Sequence, residues 1–224
     1  MAKNLAEITK ILNGRAKLLA VSKNRPGQDV KTAYETGQRD FGENKLQELA
    51  SKAQITSSCP EIRWHFIGQL QTNKVNALLK IPGLVSIHSI DSIKLLNKLL
   101  SKDPGKPIGL FLQHNTSGEQ EKAGFRSFSE LLEAALVLQE AQDKEGPKRF
   151  YLQGLMTMGS IRTENFEESA RECFEQLRSL RDEIEAQTKH SKLELSMGMS
   201  QDYEIAIEKG ADWVRIGSNI FGSR

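Results

Sequence analysis

The stretch KLELSMGMSQDYEIAIEKGADWVRIGS, residues 192–218, carries a complete repeat of strand, helix and strand. Residues 192–196 form a short β-rich run. The small-residue turn Ser196-Met197-Gly198-Met199-Ser200 leads from it into an amphipathic run at 201–209. Gly210 follows at a position where a left-handed residue closes a helix. Trp213-Val214-Arg215-Ile216 then reads as the next strand. Strands joined in this way run parallel, because the helix is the crossover that returns the chain to the same end of the sheet.

The alternation extends through the rest of the chain. Further strands are predicted near residues 17–22, 39–42, 63–67, 84–88, 108–114 and 150–155. Helical patterns occupy 30–36, 46–53, 73–79, 93–100, 129–142 and 166–186, and another at 5–12 precedes the first strand. Turn chemistry marks the boundaries. Ser129 is the expected cap of its helix, with Glu130 and Glu133 in the first turn, and Gly146-Pro147 ends it. Gly37 follows a helix as Gly210 does. Eight such units in roughly 200–250 residues is the count of a (β/α)8 TIM barrel; a doubly wound open sheet, the alternative, usually has fewer strands. The expected fold is therefore α/β: one barrel domain over residues 1–224 with an extra N-terminal helix.

Composition narrows the function classes. Charged residues, 31 Lys+Arg against 29 Asp+Glu, alternate in sign along the helices, so no nucleic-acid surface is expected. The first residues lack the apolar core of a signal peptide, and no apolar run approaches the roughly 18 residues of a membrane span. Cys59 and Cys173 are far apart and belong to no metal-ligand spacing. A cytoplasmic monomer without a metal site is the expectation.

In parallel α/β folds the chemistry gathers where strands end. Lys23 stands at the first exit, after Leu18-Leu19-Ala20-Val21-Ser22. A lysine at a barrel mouth is expected to be partly desolvated, which favours the neutral amine needed for a Schiff base; read alone, such a lysine is more often an ordinary exposed one. At the second exit, Phe41-Gly42-Glu43-Asn44, Asn44 offers either a helix cap or an amide for a ligand. His65 alternates with Trp64 and Phe66 on the third strand, as a structural imidazole or as one facing a planar ligand. Ser200 after strand seven, with Gly217 and Ser218 after strand eight, exposes hydroxyls and main-chain N–H groups where many barrels bind phosphate. Arg215 lies in an apolar strand and needs a partner, either an interior carboxylate or a bound ligand.

Six segments in order resemble the YggS/PROSC family of pyridoxal 5′-phosphate (PLP) homeostasis proteins: Leu19-Ala20-Val21-Ser22-Lys23, Phe41-Gly42-Glu43-Asn44, Trp64 through Lys74, Gly154-Leu155-Met156, Ser196 through Ser200, and Val214 through Ser218. The resemblance implies the alanine-racemase barrel, PLP fold type III. It implies PLP as a Schiff base on Lys23, the phosphate held by Ser200, Gly217 and Ser218, and Asn44, His65 and Met156 lining the pocket. Arg215 would face the pyridine nitrogen; a guanidinium only donates, so that nitrogen would stay neutral and be a weak electron sink.

The same resemblance implies a PLP carrier or buffer that is not an enzyme, with apo PLP enzymes as recipients. A racemase-like PLP enzyme is the alternative, although no second acid/base is evident among Tyr34, Tyr151 and Tyr203. A phosphosugar barrel enzyme would need Glu43 or Asp202 as its base. The stretch before Lys23 is shorter than the family's usual one, and His114 replaces a small or apolar residue, most simply as a loop residue. Lys122, in a polar loop, is the basic residue considered for docking a recipient.

Overall fold

The computed structural model describes residues 1–145, 149–159 and 165–222. Helix α1 (Ala2–Leu12) precedes β1 (Lys17–Val21). There follow α2 (Gly27–Glu35), β2 (Asp40–Glu43), α3 (Leu46–Ile55), β3 (Arg63–Phe66), α4 (Val75–Leu79), β4 (Leu84–Ile90), α5 (Ile93–Leu100) and β5 (Ile108–Gln113). The second half runs through α6 (Phe128–Glu145), β6 (Phe150–Met156), α7 (Phe166–Gln187), β7 (Glu194–Met199), α8 (Tyr203–Glu208), β8 (Trp213–Ile216) and the short α9 (Ser218–Phe221). The strands close in sequence order into a parallel barrel, β8 pairing with β1 in the register Leu18↔Val214 and Leu19↔Arg215. This is the predicted (β/α)8 barrel with its N-terminal helix.

Strand alternation sorts the side chains into two layers. Outward-facing Phe41, Trp64, Phe66, Ile87, Leu110, Leu155, Leu195 and Val214 pack under the helices as the main core. Inside the barrel the apolar content is small: Leu19, Phe111, Met156 and Trp213 form a cluster of their own. The remaining interior space holds polar side chains, including His65, Ser86, His88, Ser196 and Arg215, all buried. Barrel interiors are ordinarily filled by branched aliphatics, so this composition is a specific feature of the chain.

The boundaries differ from the predicted ones where turn chemistry intervenes. Strand β7 runs on to Met199, because pairing with β8 shifts register between Ser196 and Met199 while Gly198 takes φ +88°. The helix predicted at 73–79 begins as a single 3-10 turn, Thr72–Lys74. Helix α6 is not capped by Ser129. Ser127 Oγ accepts from Glu130 N at 3.2 Å and Glu130 Oε2 accepts from Ser127 N at 3.3 Å, a reciprocal capping box two residues earlier. Gly146-Pro147, expected to end that helix, lies outside the described residues. No described helix is long and apolar enough to cross a membrane, and no described group of His, Cys, Asp or Glu could hold a metal ion.

Candidate functional site

At the carboxyl ends of the strands a cavity of about 570 Å³ opens, and Lys23, Asn44, Met156, Ser200, Arg215, Gly217 and Ser218 all line it. Seven of the eight residues singled out from sequence thus meet in one place. The eighth does not. His65 lies inside the barrel below the cavity, its Nε2 3.0 Å from Asp40 Oδ1 and its Nδ1 2.6 Å from Ser86 Oγ. Of the two readings of His65, the geometry matches the structural imidazole: alternation turns it toward the barrel axis, where Asp40 and Ser86 bond it and it does not line the cavity.

Lys23 leaves β1 on a turn that its neighbours hold rigid. Ser22 N donates to Gly42 O and Arg25 N to Ser22 O, while Asn24 adopts φ +58°. Behind this turn sits a buried ion pair. Lys52 Nζ, on α3, donates to Ser22 O at 2.7 Å and to Glu43 Oε1, which also accepts from Ser22 Oγ at 2.6 Å. Glu48 Oε2 accepts from Asn24 N at 2.8 Å. Residues 22 and 24 are therefore both tied to the scaffold, and Lys23 between them projects its side chain. That side chain is exposed, in contrast to the partial desolvation expected from sequence. Burial pushes the Glu43 carboxyl above its usual range, against the hydrogen bonds from Lys52 and Ser22. Glu43 is committed to this support and does not line the cavity.

The wall facing Lys23 is built from the last two exits. Gly217 N donates to Ser200 Oγ at 3.3 Å and Asn219 Nδ2 to Ser200 O at 3.1 Å, joining the turn after β7 to the turn after β8. A Cβ on Gly217 would stand 2.9 Å from Val21 O, so only glycine lets the β8 exit lie against the end of β1. Asp202 also lines the cavity, but its Oδ1 accepts from Met199 N at 2.5 Å and fixes the β7 turn. Burial raises its carboxyl above the usual range despite that bond.

Arg215 forms the floor. Its Nη1 donates to Ser196 O at 2.7 Å and Ser196 Oγ at 2.9 Å, and its Nη2 to Thr157 O at 2.7 Å. Burial lowers its pKa to about 10, which leaves it protonated at neutral pH. Of the two partners considered from sequence, no interior carboxylate bonds it among the described residues. Arg215 also lines the cavity, and a guanidinium has five N–H groups, more than these three bonds use.

Asn44, which lines the cavity, leaves one polar atom unmet. Its Oδ1 is buried and has no hydrogen-bond partner among the described residues. An unmet amide oxygen costs free energy unless a ligand donor satisfies it. Sequence reasoning missed Arg25, Ile67, Gln69, Met158, Phe166 and Met199, which also line the cavity. Of these, Arg25 and Gln69 carried the one available signal, polar residues directly past a strand exit. His114 sits at the β5 exit, buried, and does not line the cavity.

The whole chain, residues 1–224, matches the family model "Alanine racemase, N-terminal domain". A pyridoxal phosphate homeostasis protein of Mus musculus is 42% identical over 217 residues, covering 93% of this chain and 77% of that relative. The chain belongs to the pyridoxal phosphate homeostasis protein family. Among solved structures, PipY of Synechococcus elongatus without PLP superposes with a TM-score of 0.87 at 32% identity, covering 99% of each chain. The form of PipY with PLP bound gives 0.83 at 31% identity, again with 99% of each covered. Alanine racemase of Corynebacterium glutamicum, at 15% identity, a TM-score of 0.77 and 60% of its length covered, shares the barrel fold.

Proposed function

We propose that this chain binds PLP at the strand-exit cavity, with Lys23 as the covalent anchor, and acts in PLP homeostasis as a carrier or buffer. The observation that carries the reading is the convergence of four complementary features on one cavity. These are a primary amine on a braced turn, a hydroxyl-rich double turn suited to phosphate, a buried cationic donor, and an amide oxygen left unpaired. Bound PLP would supply an aldehyde, and Lys23 is the primary amine at the cavity that would hold it covalently.

Each residue then has a task that its geometry suits. Ser200, Ser218 and the main chain at Gly217 receive the phosphate, and Gly217 keeps that cup close to β1. Asn44 accepts a hydrogen bond from the ligand. Arg215 presents a permanent donor to the ring, where an acidic residue would have protonated it; this favours storage over broad carbanion chemistry. Met156, Met158 and Ile67 give the ring an apolar bed.

A carrier needs retention and release, and no second acid/base. Among the described lining residues the titratable side chains are Lys23, Arg25, Asp202 and Arg215, and none of the three tyrosines lines the cavity. Apo PLP enzymes in the cytoplasm are the recipients, and the chain works as a monomer. Lys122 is a poor docking cation, since its Nζ is bound to Glu119 Oε1 at 2.8 Å and Gly159 O at 3.0 Å.

Purified protein mixed with PLP should show a visible absorption band, and borohydride should lock the label onto Lys23 by peptide mass. The Lys23→Ala variant should fold and lose the band. Covalent PLP retained by that variant would overturn the anchor. Loss of the band on adding a competing apoenzyme would support the carrier. Solvent deuterium entering Cα of amino acids well above the rate of free PLP would establish the racemase-like alternative instead.

A further inference from the structure

The polar side chains inside the barrel form one continuous chain from the cavity floor to the opposite mouth. Arg215 Nη1 reaches Ser196 Oγ at 2.9 Å, and Ser196 Oγ lies 2.9 Å from His88 Nδ1. His88 Nε2 is 2.8 Å from Ser86 Oγ and 3.2 Å from His65 Nδ1. Ser86 Oγ is 2.6 Å from His65 Nδ1, and His65 Nε2 is 3.0 Å from Asp40 Oδ1. Asp40 is gripped from outside by Arg63, Nε to Oδ1 at 2.7 Å and Nη2 to Oδ2 at 2.6 Å. Asp40 and Arg63 line a second cavity beneath the barrel, beside α1. Five strands, β2, β3, β4, β7 and β8, each contribute to the chain.

The two ends fix the direction of every bond. Arginine only donates and an ionised carboxylate only accepts. Ser196 Oγ therefore accepts from Arg215 and gives its proton to His88 Nδ1. His88 Nε2–H points on to Ser86 or His65, Ser86 O–H to His65 Nδ1, and His65 Nε2–H to Asp40. Both imidazoles are then neutral Nε2–H tautomers. A second proton on either ring would leave a serine hydroxyl accepting from both sides with nowhere to send its own hydrogen. Burial agrees, holding His65 and His88 below the ordinary histidine pKa. The groups facing the rings are Asp40, Arg63 and Glu194 around His65, and Arg215 beyond His88. Glu194 is itself engaged by Lys17, by Trp213 Nε1 at 2.6 Å and by Gln153 Nε2 at 2.9 Å. Phe111 stacks on His88 at 4.0 Å between ring centroids and Trp213 packs on His65 at 4.9 Å, so neither ring is free to turn.

We propose that this one-way hydrogen-bond chain is a positioning device, anchored at Asp40, that fixes the roll of the Arg215 guanidinium and hence the direction of the N–H it presents to the cavity. Ser196, His88, Ser86, His65 and Asp40 are positioning residues that act through Arg215 and touch no ligand. A purely aliphatic interior would fill the same space and leave Arg215 held only by the two carbonyls of Ser196 and Thr157. The chain adds a third, directional constraint. Its effect on bound cofactor rests on the PLP reading above, whereas its bond directions are a property of the ligand-free protein.

Two measurements separate these. In ligand-free protein with 15N-labelled histidine, nitrogen NMR should show His65 and His88 as neutral Nε2–H tautomers from pH 5.5 to 8. An Nδ1–H tautomer, or a ring that titrates near its ordinary pKa, overturns the proposal whatever binds in the cavity. In PLP-loaded protein, Ser196→Ala and Asp40→Leu should shift the absorption band in the same direction and weaken PLP binding about three- to tenfold, while Asp40→Asn, which keeps an acceptor for His65, stays near wild type. Should Asp40→Leu fail to fold, Ser196→Ala removes one oxygen and serves alone. An unchanged band and affinity in Ser196→Ala also overturns the proposal. If wild-type protein gives no PLP band, the functional reading fails and the tautomer measurement still decides the chain.

Discussion

Two buried polar groups support the cavity, and they are built on opposite principles. Behind Lys23, on the outer face of the barrel wall, Lys52 and Glu43 form an ion pair with almost no exposure on either side chain. That pair is imperfectly met, since Glu43 Oε2 is buried without a partner among the described residues. Beneath Arg215, inside the wall, the histidine–serine chain carries charge only at its ends and satisfies its members in one direction. Buried ion pairs recover their desolvation cost only with excellent geometry, whereas a fully connected neutral network avoids most of that cost. The first cluster fixes a backbone turn, for which a strong short-range clamp suffices. The second fixes the orientation of one planar group over a longer distance, for which direction matters more than strength.

The sharpest way to break this contrast is to remove one charge from the clamp. Lys52→Met leaves Glu43 buried and unpaired and should cost about 3–5 kcal/mol in urea unfolding. Glu43→Leu added to Lys52→Met should restore most of that loss, and failure to do so would mean the clamp is not an isolated pair. The neutral chain should answer to pH instead. His65 and His88 have folded pKa values below the ordinary 6.5. The unfolded chain then binds more protons as pH falls through that value, so their stabilisation is present above it and lost below. The slope is about 1.4 kcal/mol per pH unit for each ring. Unfolding free energies measured from pH 8 to 5 should start to fall only near the ordinary histidine value, more steeply in wild type than in His88→Gln. Burial also holds His114 low, and it contributes equally to both.

Much of this was legible from sequence because strand exits announce themselves. Ser196 through Ser200 and Val214 through Ser218 combine a β-rich run with small residues, and the barrel brings both turns beside Lys23 by topology alone. The interior chain was not legible. His65 was visible as a histidine on a strand, but its partners lie 21, 23 and 25 residues away in sequence, and Ser196 lies 108 residues from His88. Which face of β4 or β7 points inward depends on barrel register, and the β4–β5 and β7–β8 pairings both shift register along their length. The support for Lys23 was hidden for a related reason. Lys52 is one charged residue of an amphipathic helix, and only the close approach of α3 to β2 buries it.

The outer anchor of the chain gives a smaller effect in a separate pH range. Burial pushes the Asp40 carboxyl upward, but hydrogen bonds from Arg63 and His65 overcome this and bring it from 3.8 down to about 2. Its contribution is present above the unfolded value and lost as pH falls through the folded one, about 2 kcal/mol between pH 4 and 2. Asp40→Asn should abolish that acid-range loss while keeping the histidine slope near pH 6, which distinguishes the anchor from the rings it holds.

The smallest effect calibrates the others. Ser127 and Glu130 cap α6 in an exposed box that belongs to neither cluster. Ser127→Ala removes one acceptor from a helix end that water also reaches, and should cost about 1 kcal/mol by thermal or urea unfolding. Glu130 is held below the usual carboxylate range, chiefly by the Arg126 main-chain N–H, and so stays ionised at both pH 5.5 and pH 8. The cost should therefore be equal at the two values. A cap whose contribution changed between them would mean that the slope assigned to His65 and His88 includes exposed groups, and the contrast between clamp and chain would have to be redrawn on the residual.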